Sequence, residues 1–301
     1  MSAASPDCSS LAFLSDWSVV IDDLGTDGML PGRAAEVWRD ENGPLTIGRL
    51  GASNAAGYRF QSGNDIAVDV HLGRRIVATV GSKVSKASLY HFAADQVLPR
   101  LISDEGSLVL HAGAVRVDQG AVLLMGASGR GKSTLSASFA RSGMTLMGDD
   151  AMIVTWSDDQ PCANAVYPSL RLLPDSIEAL YKSTVKTFEV ASYTSKQRVD
   201  VAICDQIPSA PVPIKALISI GPPALDDVIS LRPMTMAETC MAILEHSFAF
   251  DPSDTSRAKI RLGQASKLAN RIRAFELNYP RNFDRLPEVR RAILTQLAHT
   301  S

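Results

Sequence analysis

Cysteine is scarce in this chain of 301 residues: Cys8, Cys162, Cys204 and Cys240 are all it has. They are far apart, with no C-x-x-C and no His pair at ligand spacing. That excludes a disulfide scaffold or a zinc ribbon and predicts reduced thiols in a cytoplasmic protein. A dominant charge is missing too. With a net charge of −2 and a pI near 6.2, the chain has no basic field to hold nucleic acid or an anionic membrane, and neither is expected as a partner. No stretch reaches the roughly 18 uninterrupted apolar residues of a membrane span. The segment "MSAASPDCSSLAFLSDWSVVIDD" has neither the basic start nor the continuous apolar run of an export signal. Repeats and low-complexity tracts are absent. What is present is a hydrophobic fraction of 46%, enough over this length for one large or two modest cores.

Two regions are expected, with the boundary near Glu105–Gly106. From Trp17 to Val80, "WSVVI", "PLTIGRL", "GYRFQ", "DIAVDVHL" and "RRIVATV" alternate with Gly, Asn, Asp and Ser clusters, which predicts a β-rich N-terminal domain over 1–105. The period then changes, and Leu89, Phe92, Ala93, Leu98 and Leu101 fall on one face of a linking helix. Residues 106–301 read as an α/β domain. "SLVLHAGAVRV" and "AVLLM" are predicted strands, joined by Asp118, Gln119 and Gly120 in a three-residue turn with Gly in the left-handed position.

The second of these strands runs into "GASGRGKS", residues Gly126, Ala127, Ser128, Gly129, Arg130, Gly131, Lys132 and Ser133, followed by Thr134 and a helix to Arg141 with a stop at Gly143. This is the pattern G-x-x-x-x-G-K-[ST], and a chance match in a chain of this length is on the order of 1 in 100. A Gly-rich turn between strand and helix lets backbone N–H groups and the helix N-terminus face phosphate oxygens. Lys132 is expected to reach the β- and γ-phosphates of ATP, and Ser133 to ligate Mg²⁺. The alternative is a plain Gly-rich turn with a solvated lysine.

His111, Asp149 and Asp150 are the other candidates. A hairpin turning at 118–120 sets His111 opposite residue 127, at the start of the loop, although a lone His on an apolar strand is often a core residue. "MTLMGDD" follows the loop helix, so its carboxylates are expected at the sheet edge that carries Lys132. One can take a proton from a hydroxyl while the other holds metal or orients His111; a solvated turn is the alternative. Lys196 and Arg198, in the polar stretch "SKQRVD", are cations able to neutralise a moving phosphate or simply to face solvent.

His111 stands 21 residues before Lys132, and Asp150 stands 18 after it. In this order and spacing, the stretch from Leu108 to Val154 resembles the catalytic domain of the HPr kinase/phosphorylase family and its HPr kinase-like serine kinases. The resemblance implies a P-loop-containing HPr kinase-like α/β core behind a smaller β-rich domain, with ATP and Mg²⁺ as cofactors. Lys132 and His111 would contact phosphate, Ser133 and Asp149 would serve the metal, and Asp150 would accept the hydroxyl proton. Ala127 stands where the HPr enzymes have an acidic residue, and "YPSLRLLP" stands where they have a metal-binding Glu before Ile-Arg-Gly, with Arg171 alone recognisably placed. Some members of the kinase-like subgroup, those without the loop acid and with a β-rich N-terminal region, belong to pathways that modify ribosomally made peptides, including the C-terminal serine of lasso-peptide precursors. The implied acceptor is therefore a peptide or protein with an accessible serine, and a homo-oligomer is implied as well. An extended tail could add to an edge offered by the strands between Pro44 and Val80.

Other uses of the loop leave different marks. No N/T-K-x-D guanine reader and no S-G-G-Q signature occurs, which argues against a GTPase and an ABC-type ATPase. A kinase for a free small-molecule hydroxyl such as serine, and a non-catalytic nucleotide-binding scaffold, remain as alternatives.

Overall fold

The computed structural model describes residues 18–23, 34–41, 43–51, 57–71, 73–167, 169–182, 184–200, 210–224 and 226–298. The chain is mixed α/β and divides into two compact units. The first comprises 1–104 with the segments 190–194 and 249–258, and the second takes the rest. Those two returns were no part of the sequence expectation.

Six strands build the first unit's sheet: β1 (Ser18–Asp23), β2 (Ala34–Arg39), β3 (Leu45–Leu50), β4 (Tyr58–Ser62), β5 (Ile66–His71) and β6 (Arg75–Val80), in the order β1-β6-β5-β4-β3-β2. Alternation places Leu45, Ile47, Phe60, Val68, Val70 and Ile76 on one buried face, packed with Leu89, Phe92 and Leu101. These last three belong to α1 (Lys86–Phe92) and α2 (Leu98–Asp104), joined through a π-turn at Ala93–Val97 that breaks the single predicted linking helix. On the opposite face Arg59 meets Asp69 through two bonds of 2.7 Å, so both charges are satisfied although buried. Strands β3 to β6 each have a neighbour on both sides, which corrects the expectation that the stretch from Pro44 to Val80 offers an edge. Among the described residues the outer strands are β1 and β2. Sequence reading missed β2 because "AAEVWR" carries helix-forming Ala and Glu and no alternation; its pairing with β3 makes it a strand.

The second unit is built on a mixed sheet. Its strands are β7 (Leu108–Leu110), β8 (Ala112–Val117), β9 (Gly120–Met125), β10 (Thr145–Gly148), β11 (Met152–Ser157), β12 (Gln160–Ala165), β16 (Val212–Ile220), β17 (Ser230–Pro233) and β18 (Arg273–Asn278). One path runs β10-β8-β9-β16-β12-β11-β7, and β18 joins β16 and β17. Strands β9, β16 and β18 are parallel, whereas β8 is antiparallel to both β9 and β10. A third, small sheet orders β13 (Arg171–Leu172), β15 (Gln197–Asp200) and β14 (Lys186–Glu189).

Two apolar clusters flank the main sheet. In one, Leu135, Phe139, Ile177, Val289 and Ile293 of α3 (Lys132–Arg141), α4 (Pro174–Tyr181) and α7 (Leu286–Ala298) pack on Val115, Val122, Leu124 and Ile218. In the other, Ile243, Ala265 and Leu268 of α5 (Met236–Glu245) and α6 (Thr255–Ala269) cover Leu123, Met125 and Leu217. Full burial of each such Leu, Ile or Phe contributes about 2 kcal/mol, so the sheet that carries the loop is held firmly from both faces.

Two sequence expectations change here. "SLVLHAGAVRV" is not one strand: it breaks at His111, so that β7 pairs with β11 while β8 pairs with β9 and β10. The hairpin turn has two residues rather than three, since Val117 pairs with Gly120. Asp118, at φ 54°, takes the left-handed position expected of Gly120. A Cβ on Gly120 would lie 2.7 Å from that of Lys215, so glycine is needed there for the close approach of β16.

Candidate phosphate-binding and carboxylate site

The six residues of β9 are all buried, and the strand delivers the chain to a loop whose glycines do specific work. Gly126 and Gly131 have φ of 146° and 92°, and a Cβ would lie 2.7 Å from the Ile220 carbonyl oxygen at the first and 2.9 Å from Tyr279 Oη at the second. Only glycine meets both the backbone conformation and the close approach. Helix α3 then begins with Gly131 as its N-cap and no side-chain capping bond, which leaves its first N–H groups and its positive dipole end for an anion. Lys132 is 5% exposed and arches back over the loop, with Nζ donating to the carbonyls of Gly126 at 2.8 Å and Ala127 at 3.4 Å. Ala127, Ser128 and Gly129 are exposed at the tip. The hydroxyl of Thr134 is paired with that of Ser176 at 3.0 Å.

Strand direction decides what meets the loop. Two antiparallel steps, β9 to β8 and β8 to β10, make β10 run the same way as β9, so the carboxylates after Gly148 emerge at the edge where Gly126 leaves β9. The expected parallel neighbour is replaced by this double reversal, with the same result at the edge. His111 precedes β8 at that edge. One step beyond the Ala112–Met125 pair lie His111 and Gly126, one residue from the register anticipated.

Asp149 is fully buried. It accepts a hydrogen bond from the Ser133 side chain, and its Oδ2 lies 3.5 Å from the Arg171 backbone N–H, while its Oδ1 has no partner. Burial pushes its carboxyl up to about 6, with the Asp150 charge adding to the rise and Lys196, Ser133 and Arg171 opposing it. Asp150, at φ 72°, turns the other way and forms a buried ion pair with Arg171, whose Nη2 also donates to Tyr167 Oη at 3.0 Å. Its backbone carbonyl lies 3.0 Å from His111 Nδ1. A carbonyl oxygen can only accept, so Nδ1 carries a proton and donates it to Asp150. The ring is further held by its backbone N–H, which donates to the His246 carbonyl at 2.6 Å, and by the edge of Phe248.

Residues that the sequence reading left out or left unassigned also reach this edge. Arg171 holds Asp150. Lys196 acts on Asp149 electrostatically, whereas Arg198 lies over the Phe188 ring at 5.2 Å. His246, at the end of α5, is lowered by burial, countered by Glu245 and reinforced by the Lys132 cation, which puts it within electrostatic reach of the loop. No local pattern marks His246, because its approach depends on the packing of α5.

Among the described residues no group of three or more His, Cys, Asp or Glu could by itself enclose a metal. Mg²⁺ does not require one, since it keeps several waters and binds through one or two carboxylates and substrate phosphates. The partnerless, buried Asp149 Oδ1 beside the Ser133 hydroxyl fits such an ion.

No family model matches the chain, and no curated protein matches it. Among solved structures, it is similar to the HPr(Ser) kinase/phosphatase from Coxiella burnetii, with 14% identity and a TM-score of 0.34, over 64% of this chain and 99% of that one. That similarity is distant and one of fold alone. No helix among the described residues is long and apolar enough to cross a membrane.

Proposed function

We propose that this protein is an ATP- and Mg²⁺-dependent kinase that transfers phosphate to a serine hydroxyl on a peptide or protein tail, such as the C-terminal serine of a lasso-peptide precursor. One observation carries the reading. An uncapped, Gly-shaped helix start with its lysine shares a sheet edge with two buried carboxylates, one of which accepts from the loop serine. A nucleotide switch or scaffold needs the loop and the metal contact but has no use for a second buried carboxylate held by an arginine.

The residues divide the work. The loop N–H groups and Lys132 bind and orient the phosphates and stabilise charge on them. Ser133 and Asp149 would hold Mg²⁺, which would supply neutralising charge to the phosphates. Asp150, aimed by Arg171, takes the proton from the acceptor hydroxyl. His111, beside the start of the loop, would contact phosphate. A peptide tail adding as another strand would meet β1 or β2, the outer strands of the first unit.

The test offers three acceptors side by side with Mg-ATP: a precursor peptide ending in serine, the same peptide with that Ser changed to Ala, and free serine. The expected outcome is a gain of about 80 Da on the first alone. Phosphate on free serine alone would overturn the peptide acceptor and leave a metabolite kinase. Lys132→Ala should lower transfer by the folded protein by about 100-fold or more. Unaltered turnover in that variant would remove the loop from the chemistry.

A further inference from the structure

On the loop's other flank, three parallel strands end together. Beyond β9 is the loop, beyond β16 is Gly221, and beyond β18 are Tyr279 and Arg281. They are in contact: Gly126 sits against the Ile220 carbonyl and Gly131 against Tyr279 Oη. Arg281 Nη2 donates to the Gly221 carbonyl at 2.8 Å, and its guanidinium lies 4.0 Å over the Tyr279 ring. Its Nε is buried with no partner, and no carboxylate pairs with it among the described residues. Arg130 projects from the loop on this side, its Cβ lying 3.5 Å from a Cβ placed on Gly126, and it too has no carboxylate partner among the described residues. Burial lowers Arg281, Tyr279 opposes the shift, and the Arg130 cation adds to it, so Arg130 lies within electrostatic reach of Arg281. Two cations held this way, one of them half-buried and stacked, are costly until an anion comes between them.

We propose that Arg281 and Arg130 form the second anion site of the nucleotide donor and bind the phosphate attached to the nucleoside. This rests on the kinase reading above and extends it. The sheet order sets the assignment. Asp149 and Asp150 follow β10, two strands from the loop on one side, and Arg281 follows β18, two strands away on the other. A polyphosphate lying across the loop with its reacting end at the carboxylates directs its nucleoside end to the arginines. Tyr279 and the Gly221 carbonyl preset the guanidinium plane, so Arg281 is a binding residue that acts on donor affinity.

The experiment measures Mg-ADP and Mg-ATP affinity by calorimetry for the full chain and for Arg281→Ala, Arg281→Lys, Arg130→Ala and Lys132→Ala. Loss of a charged hydrogen bond to phosphate should raise Kd about tenfold for ADP and ATP alike in Arg281→Ala. Arg130→Ala should raise it in the same sense, and Arg281→Lys should recover part of the loss. In transfer assays KM for ATP should rise while kcat falls by less. Arg130 makes no side-chain bond among the described residues, so Arg130→Ala keeps the test open if Arg281→Ala fails to fold. Unchanged nucleotide affinity in Arg130→Ala and in a folded Arg281 variant, with Lys132→Ala weakened, would overturn this site alone. An effect confined to acceptor KM would overturn it as well. No nucleotide binding by the unaltered chain would overturn the kinase reading together with it.

Discussion

Asp149 is a buried carboxylate whose charge the fold accommodates at a cost. Its carboxyl holds a proton up to about 6, against an ordinary value of 3.8, so between those pH values the folded chain binds more protons than the unfolded one. Stability from this group therefore falls as pH rises through that window and stays low above it. Asp149→Asn removes the buried charge. Its thermal midpoint should exceed that of the unaltered chain at about pH 8, and the gap should close at about pH 4. A lower midpoint for the variant at the alkaline end would contradict this. Asp150→Asn should behave differently, because its carboxylate is matched by Arg171. Nucleotide binding should persist while transfer falls by about 10²- to 10⁴-fold, the usual worth of a positioned base. Calorimetry alongside single-turnover transfer separates the two effects. His111→Ala should slow transfer more than it lowers the thermal midpoint, since the ring lies beside the loop and is only partly buried.

At the scale of elements, the strand–loop–helix unit is the part most open to sequence reading. The expected span of α3 and the stop at Gly143 agree with the structure, where Gly143 has φ 94°. Spacing was enough there because each residue answers a local backbone demand. The two glycines give a graded test. Gly143→Ala meets nothing within 4 Å and incurs only the left-handed conformation, about 1 kcal/mol. Gly126→Ala adds a clash with the Ile220 carbonyl and should cost about 2 kcal/mol or more in urea unfolding, with weakened nucleotide binding. Other elements were illegible for a physical reason. Helix α6, "TSRAKIRLGQASKLA", buries only Ala265, Leu268 and Ala269, too few apolar positions to stand out from a polar loop. The break at His111 lies inside a continuous apolar run, and it becomes visible only once β7 and β8 take different partners.

Over the whole molecule, the chain returns twice to its first unit, at 190–194 and 249–258. Phe250 packs on the rings of Tyr58 and Phe60, and the buried Asp251 accepts from Arg49 at 2.7 Å and Tyr58 Oη at 3.0 Å. A fragment of residues 1–104 therefore lacks a core ring and a buried carboxylate that its own Arg49 and Tyr58 need. It should show no cooperative thermal transition comparable to that of the full chain, and circular dichroism on heating would check it. A sharp transition at the full-chain midpoint would make the returning segments dispensable.

The sequence by itself determined the local chemistry: the glycine pattern, the lysine and serine that open α3, and the paired aspartates after a short strand. Each depends on neighbours a few residues away, so spacing suffices to read it. Only the tertiary structure decided which of these groups meet, and which others join them. Arg171 reaches Asp150 from a strand of the small sheet, His246 approaches Lys132 from the end of α5, and Arg281 comes to the loop after β18. Their positions follow from strand direction and helix packing set by burial across the whole sheet. Burial is a long-range property with no local spacing; Asp149 and Asp150 share it, and what distinguishes them is the Arg171 ion pair that Asp150 alone makes.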